Sequence, residues 1–287
     1  MGTYKPNVRE RLVARCLASW RWETGKSGAE VSREVGFSQA KLSKLENAYH
    51  PIRPEDVKAL GEVYRVPEPD RDLLYRAAER ALVPGWWEDE TADALFEAVR
   101  EYVELESEAS LVRAYKSDVL PGLVQTRAYA LALGRAWLPP QPEEVVEAQA
   151  RVRLKRQERL DDVDHPLEAR FVVAEGTLRQ EVGGPAVMVE QLHHLLALAG
   201  RENVTVQVVP FSCGAHAAQG SSFSVLSFAD KRFEDVVYLE NLNSGRYVET
   251  RYGREPYVVN FNALQEAALD ADASVKHIVE VADELRV

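Results

Sequence analysis

Cysteine is scarce in this sequence. Its two residues, Cys16 and Cys213, lie far apart, and Cys16 falls on the apolar stripe of a predicted helix, which excludes a disulfide framework. Zinc-ligand spacings are missing, and so is a glycine loop that would cradle phosphate; Gly183-Gly184-Pro185 reads as a turn into a helix. His193 and His194 are adjacent on a predicted helix and point about 100° apart, so they do not converge on a metal. The expectation is therefore no metal, no cofactor and no enzyme activity. Apolar runs of the roughly 20 residues that span a bilayer are absent. The N-terminus lacks a charged-then-apolar leader pattern, and Pro6 breaks the myristoylation motif that Gly2 would begin. These absences predict a cytoplasmic chain without membrane attachment. Internal repeats and low-complexity segments are also absent. With 46% hydrophobic and 28% charged residues in 287, the chain can bury one large or two ordinary cores.

What the sequence does carry is a pattern of two short helices joined at a glycine over residues 26–47. Ser27 followed three residues later by Glu30 is a capping-box start, and Ala29, Val31 and Val35 supply apolar contacts to the first helix. Gly36 permits the left-handed turn. Ser38 is placed to cap the second helix, which Leu42 and Leu45 anchor from one face. This is a helix-turn-helix, whose second helix fits a DNA major groove. The candidates for groove contact are Gln39, Ala40, Lys41, Ser43 and Lys44. Glutamine pairs bidentately with adenine, lysine reaches guanine O6/N7, and alanine meets a thymine methyl. Ser27, Gly28 and Ser38 are placed at the phosphates, with Arg15, Arg53 and Lys58 as weaker phosphate candidates. The net charge of −11 opposes DNA binding as a sum but not as a distribution. Residues 1–47 hold nine Lys/Arg against five Glu, a balance of +4 that leaves −15 for the rest.

Val8, Leu12, Cys16 and Trp20 repeat every four residues and predict a helix over 7–22. A fourth helix follows Pro54, with Val57, Leu60 and Val63–Tyr64, and Leu73, Leu74, Ala77, Ala78 and Ala81 mark a fifth. These make an all-α bundle over 1–82, followed by a linker over 83–91. Beyond it, helices are expected around Leu95–Glu106, 124–137, 143–160, 185–199, 256–268 and 272–285. Strands are expected at 169–174, 204–209, 222–228, 236–240 and 247–250. Residues 92–287 thus read as an α+β domain with a small mixed or antiparallel sheet. The basic run Arg151, Arg153, Lys155, Arg156 and Arg159 is interleaved with acids and reads as a solvated helix face.

Residues 27–47 resemble the Xre/Cro-type helix-turn-helix. The second domain is similar to the DUF5753 domain that follows it in many actinobacterial regulators. The segments that carry this are Pro84-Gly85-Trp86-Trp87, Leu120 to Thr126 with Tyr129-Ala130, and Gly183-Gly184-Pro185 with Gln191-Leu192. Asn203 to Phe211, Gly214-Ala215-His216 and Val236 to Glu240 complete them. The resemblance implies a Scr1-family, antitoxin-like transcriptional regulator, often encoded beside a small DUF397-type partner protein. It implies no known ligand. One departure stands at Gly28, where Xre-type domains usually place a glutamine that braces the DNA backbone contact.

Outside the bundle, the candidates for ligand or partner binding are Cys213 and His216, in the long loop 211–221, and Tyr238 and Glu240. Tyr238, Glu240, Tyr247 and Glu249 alternate along two strands as one face of aromatics and acids. Three readings stand at this point. The first is a DNA-binding regulator, a dimer on an operator, whose second domain takes a small protein or ligand. The second is a Cys213/His216 enzyme domain targeted by a DNA-binding head. The third is an interaction module that no longer binds DNA.

Overall fold

The computed structural model describes residues 4, 6–87, 97–163, 166–229, 233–242 and 244–286. The chain forms two compact units, one of residues 1–86 with 230–233, the other of 87–229 with 234–287. The expected linker beyond Trp87 and the helix start at Leu95 lie outside the described residues.

In the first unit, Asn7 accepts the Glu10 N–H at 2.8 Å while the Glu10 carboxylate accepts the Asn7 N–H at 3.0 Å. This capping box opens α1 (Val8–Thr24), and Gly25, at φ 68°, closes it. There follow α2 (Gly28–Val35), α3 (Gln39–Glu46), α4 (Pro54–Val63) and α5 (Glu68–Ala81). The stripe Val8, Leu12, Cys16 and Trp20 is buried throughout. From α1, Cys16 and Trp20 join Val31, Leu42, Leu45, Val57, Leu60 and Leu74 in one core. One expected apolar contact fails. The inward face of α2 runs through Gly28, Val31, Ser32 and Val35, so Ala29 falls outside it and is exposed. That of α5 runs through Leu74, Ala77, Ala78 and Ala81, which leaves Leu73 exposed.

The second unit is built on a six-stranded sheet in the order β3-β2-β1-β4-β5-β6. The strands β1 (Leu111–Lys116), β2 (Glu168–Ala174) and β3 (Val204–Val209) are parallel. The other three, β4 (Phe223–Ser227), β5 (Val236–Asn241) and β6 (Ser244–Val248), continue antiparallel from β1. Parallel neighbours need crossovers. Two helices, α7 (Arg127–Arg135) and α8 (Glu143–Gln157), lie between β1 and β2, and α9 (Glu175–Arg179) and α10 (Pro185–Ala199) between β2 and β3. Before β1 comes α6 (Glu97–Glu108), and α11 (Arg251–Ala267) and α12 (Ala271–Glu284) follow β6.

The mixed α+β class is as expected, with three differences in its elements. The central strand β1 and the short α9 were not anticipated, and β6 lies nearer the β5 turn than 247–250. Pro256 sits inside α11 instead of opening it, because the Thr250 carbonyl already accepts the Gly253 and Arg254 N–H groups at 3.0 Å.

Side chains alternate across the sheet. Tyr115, Val172, Phe223, Val225 and Val237 pack with Phe261 and Leu264 of α11. The opposite set, Val112, Ala114, Phe171, Ser224 and Tyr238, floors a cavity under α6 and α8. Its rim is stiffened by the turn after β1. Gln191 is fully buried, accepts the Thr126 N–H at 2.7 Å and donates to the Val124 carbonyl at 2.6 Å. Gln125 donates to the Leu120 carbonyl at 2.7 Å.

Candidate nucleic-acid interface and the site in the second domain

The turn between α2 and α3 forms as its residues dictate. Ser27 caps α2 through a capping box with Glu30, and Gly36 adopts φ 77°. Ser38 caps α3 by accepting the Lys41 N–H at 3.1 Å. Leu42 and Leu45 are buried beneath α3, while Ser38, Gln39, Ala40, Ser43 and Lys44 are exposed. Asn47, which closes α3 and donates to the Ser43 carbonyl at 2.7 Å, is exposed beside them. Sequence reasoning passed over it because a C-terminal asparagine reads first as a cap. Among the described residues, Lys44, Arg53 and Lys58 are exposed and make no ion pair, so the bundle keeps free positive charge.

Two of the expected contact residues are engaged elsewhere. Lys41 Nζ lies 2.6 Å from Asp56 Oδ1 and 3.6 Å from the centre of the Phe37 ring, which ties α3 to the first turn of α4. Ser27 is bound to the Glu30 carboxylate through both its N–H (2.8 Å) and its hydroxyl (2.6 Å). These bonds hold the exposed Glu30 below the usual carboxylate range. An ionised carboxylate thus occupies the start of α2, where a phosphate would sit. The first turn of α3 carries no acid. Gly28 lies against Leu42, 3.8 Å from where a Cβ would be placed, an ordinary contact distance. Elsewhere in the bundle, Arg21 forks onto Glu46 at 2.6 and 2.9 Å, and Lys26 pairs with Glu34.

In the second unit the four candidates separate into two places. His216 Nε2 is 3.2 Å from the Tyr115 hydroxyl, and its ring meets Tyr115 edge-on. Cys213 packs half-buried against the α11 side of the sheet, and among the described residues no hydrogen bond joins it to His216. Tyr238 and Glu240 are on the other face and line the cavity. Tyr238 pairs with Tyr247 across β5 and β6 as the alternation implies, and its ring also leans on Tyr102 at 4.7 Å. Glu240 accepts from Lys116 at 3.3 Å.

The basic run of α8 departs from a solvated face. Arg151 and Lys155 are exposed, but Arg156 is buried and forks onto Glu106 at 2.6 and 2.8 Å, over the Tyr102 ring. Burial opposes the Arg156 charge, and Glu106 more than offsets it, so this guanidinium stays ionised. Arg153 turns into the cavity wall. Charge interleaving in sequence does not reveal this, because the acid that pairs with Arg156 is fifty residues away.

Among the described residues, no helix is long and apolar enough to cross a membrane, and no cluster of His, Cys, Asp or Glu is placed to hold a metal. Residues 12–74 match a family described as a helix-turn-helix domain, and residues 99–280 match one described as a domain of unknown function, DUF5753. No curated protein and no solved structure matches. The first match, on the helices just described, supports a DNA-binding regulatory role. The second covers well over half of the chain, which therefore belongs to the DUF5753 family and carries a helix-turn-helix domain ahead of the family domain.

Proposed function

We propose that the chain is a sequence-specific transcriptional regulator, a repressor or antitoxin-like factor, that reads its operator with α3. The observation that carries this is the outer face of α3. Ser38, Gln39, Ala40, Ser43 and Lys44 stand exposed on a helix pinned from beneath by Leu42 and Leu45, with unpaired Lys44, Arg53 and Lys58 to meet DNA oxygens. In this reading Gln39, Ala40 and Lys44 address base edges, and Ser38 addresses a phosphate. Ser27 and Lys41 act mainly by setting the geometry of the two helices. The regulator works as a homodimer on a near-palindrome, with half-sites about one helical turn apart. Its second domain supplies dimer contacts and receives a small DUF397-type protein or a ligand. It acts in the cytoplasm, by binding and without catalysis. A partner of either kind shifts DNA affinity only by favouring the DNA-competent state.

The test is a hydroxyl-radical footprint of the full chain on the DNA upstream of its own gene. Two protected half-sites related by two-fold symmetry support the reading. Uniform or absent protection by a folded protein, with or without the neighbouring small protein added, overturns it.

A further inference from the structure

The cavity beneath α6 and α8 has a volume of about 380 Å³, within the range of small-molecule sites. It is walled on most sides by apolar groups, among them Leu123, Leu133, Trp137, Val152 and Phe171. Its charged groups are mostly satisfied by one another. Arg156 is held by Glu106, Lys116 by Glu240, and Asp118 accepts the Ser222 hydroxyl at 2.7 Å. Arg153 is the cation without such a partner. Among the described residues this half-buried guanidinium has neither a hydrogen bond nor an ion pair. Its burial first, and the Arg156 charge second, bring its pKa down to about 10, against the pull of Glu240.

Two further polar atoms of the wall are buried without a partner, the Tyr238 hydroxyl and Gln125 Oε1. Tyr238 is only 4% exposed. It is fixed by its two tyrosine neighbours and by Gly245, where a Cβ would stand 2.7 Å from the Tyr238 hydroxyl. Gln125 cannot turn its amide to escape, since its Nε2 is committed to the Leu120 carbonyl. Buried polar groups left without partners are costly. Of these three groups Arg153 is the one that solvent reaches, and its side chain lines the chamber.

From this we infer that the cavity is a binding site for a small organic anion with an apolar body, whose anionic group is taken by Arg153. Of the cations in the wall, Arg156 and Lys116 already hold carboxylates, so Arg153 is the one open to an anionic group. The apolar walls select against a bare inorganic anion. The inference deepens the reading of the second domain as the receiving part of a regulator, and rests on it only for the consequence to DNA affinity. Because the test below contains no DNA, its failure leaves operator binding untouched, and a failed footprint leaves the cavity untouched.

The probes are 8-anilinonaphthalene-1-sulfonate, which has an aromatic body, one N–H and one sulfonate, and N-phenyl-1-naphthylamine, the same body without the sulfonate. Each is titrated by fluorescence into the full chain. The sulfonate is expected to saturate at one per chain and to quench Trp137 by energy transfer, a quench lost in Trp137→Phe. Arg153→Met is expected to weaken the sulfonate tenfold or more and to leave the neutral probe within twofold. Ala114→Leu, which fills the floor, excludes both probes. Absent or non-saturable sulfonate binding overturns the inference. So does binding that Arg153→Met leaves unchanged, or a loss in that variant that the neutral probe shares equally.

Discussion

Lys41 and Lys44 stand three residues apart on α3, and their exchange for alanine should give opposite results. Lys44 is exposed and makes no ion pair among the described residues. Removing it costs the fold almost nothing and costs binding about 1–3 kcal/mol if it reads a base. Lys41 is 38% exposed and holds Asp56, itself 10% exposed, at 2.6 Å, while covering the Phe37 ring. A half-exposed pair of this kind contributes up to about 1 kcal/mol, and the cation over the ring about 0.5–1 kcal/mol more. Lys41→Ala should therefore destabilise the bundle by about 1–2 kcal/mol, a factor of roughly 5–30 in its opening equilibrium. Hydrogen exchange followed by mass spectrometry on the full chain reads this from peptides of α1–α5, with the second domain as an internal control. Asp56→Asn should reproduce most of the loss without touching α3, and Lys41→Ala added to it should cost much less than alone. The reasoning is refuted if Lys41→Ala leaves exchange unchanged while abolishing DNA binding, since Lys41 would then leave Asp56 for the groove.

Two further outcomes follow from the second domain. Arg156→Met strands the buried Glu106 carboxylate and should lower the unfolding free energy by about 3–5 kcal/mol. Glu106→Leu added to it should restore much of that loss in urea melts, whereas additive costs would show that the pair is not the unit. Stability should also fall with acid in two stages. Burial and the Arg201 charge hold His194 below its ordinary value of 6.5 against Glu190, so its contribution is present above that value and is lost as pH falls below it. Burial alone would raise Glu175, but the Phe211 N–H, Arg179 and His277 together hold it below 4.5, so its share is lost below that pH. Urea midpoints across pH 7.5 to 3.5 check both stages. His194→Gln should flatten the upper one and Glu175→Gln the lower, and unchanged profiles would contradict the assignments.

Much of the first unit was legible because its signals are local. Capping residues at Ser27 and Ser38, the glycine at 36 and the four-residue stripe of α1 each act within a turn or two of themselves. The failure there, Ala29, is a single position beside the true inward face. The second unit was less legible because its decisive pairings are distant. Leu111–Lys116 carries two charges in six residues and reads as surface, yet it is the central strand. Its Arg113 is accommodated by Asp235 at 2.8 Å, a partner 122 residues away that no local pattern reveals. The same holds for Arg153 and Arg156, whose burial depends on α6 and on β5. Tyr238 and Glu240 were found from strand alternation, but the cavity they line exists only once α8 is laid over the sheet.

The central claim is that α3 reads sequence. Fluorescence anisotropy of the full chain on its footprinted operator and on a scrambled duplex, at 50 and 200 mM salt, tests it most directly. The expected result is a preference for the operator of about 10³-fold or more that persists at both salts, with affinity for each duplex falling steeply as salt rises. Lys44→Ala should erase much of the preference if the lysine meets a base, or lower the salt slope by about one if it meets a phosphate. Equal affinity for the two duplexes at both salts, with the fold intact, would contradict the claim.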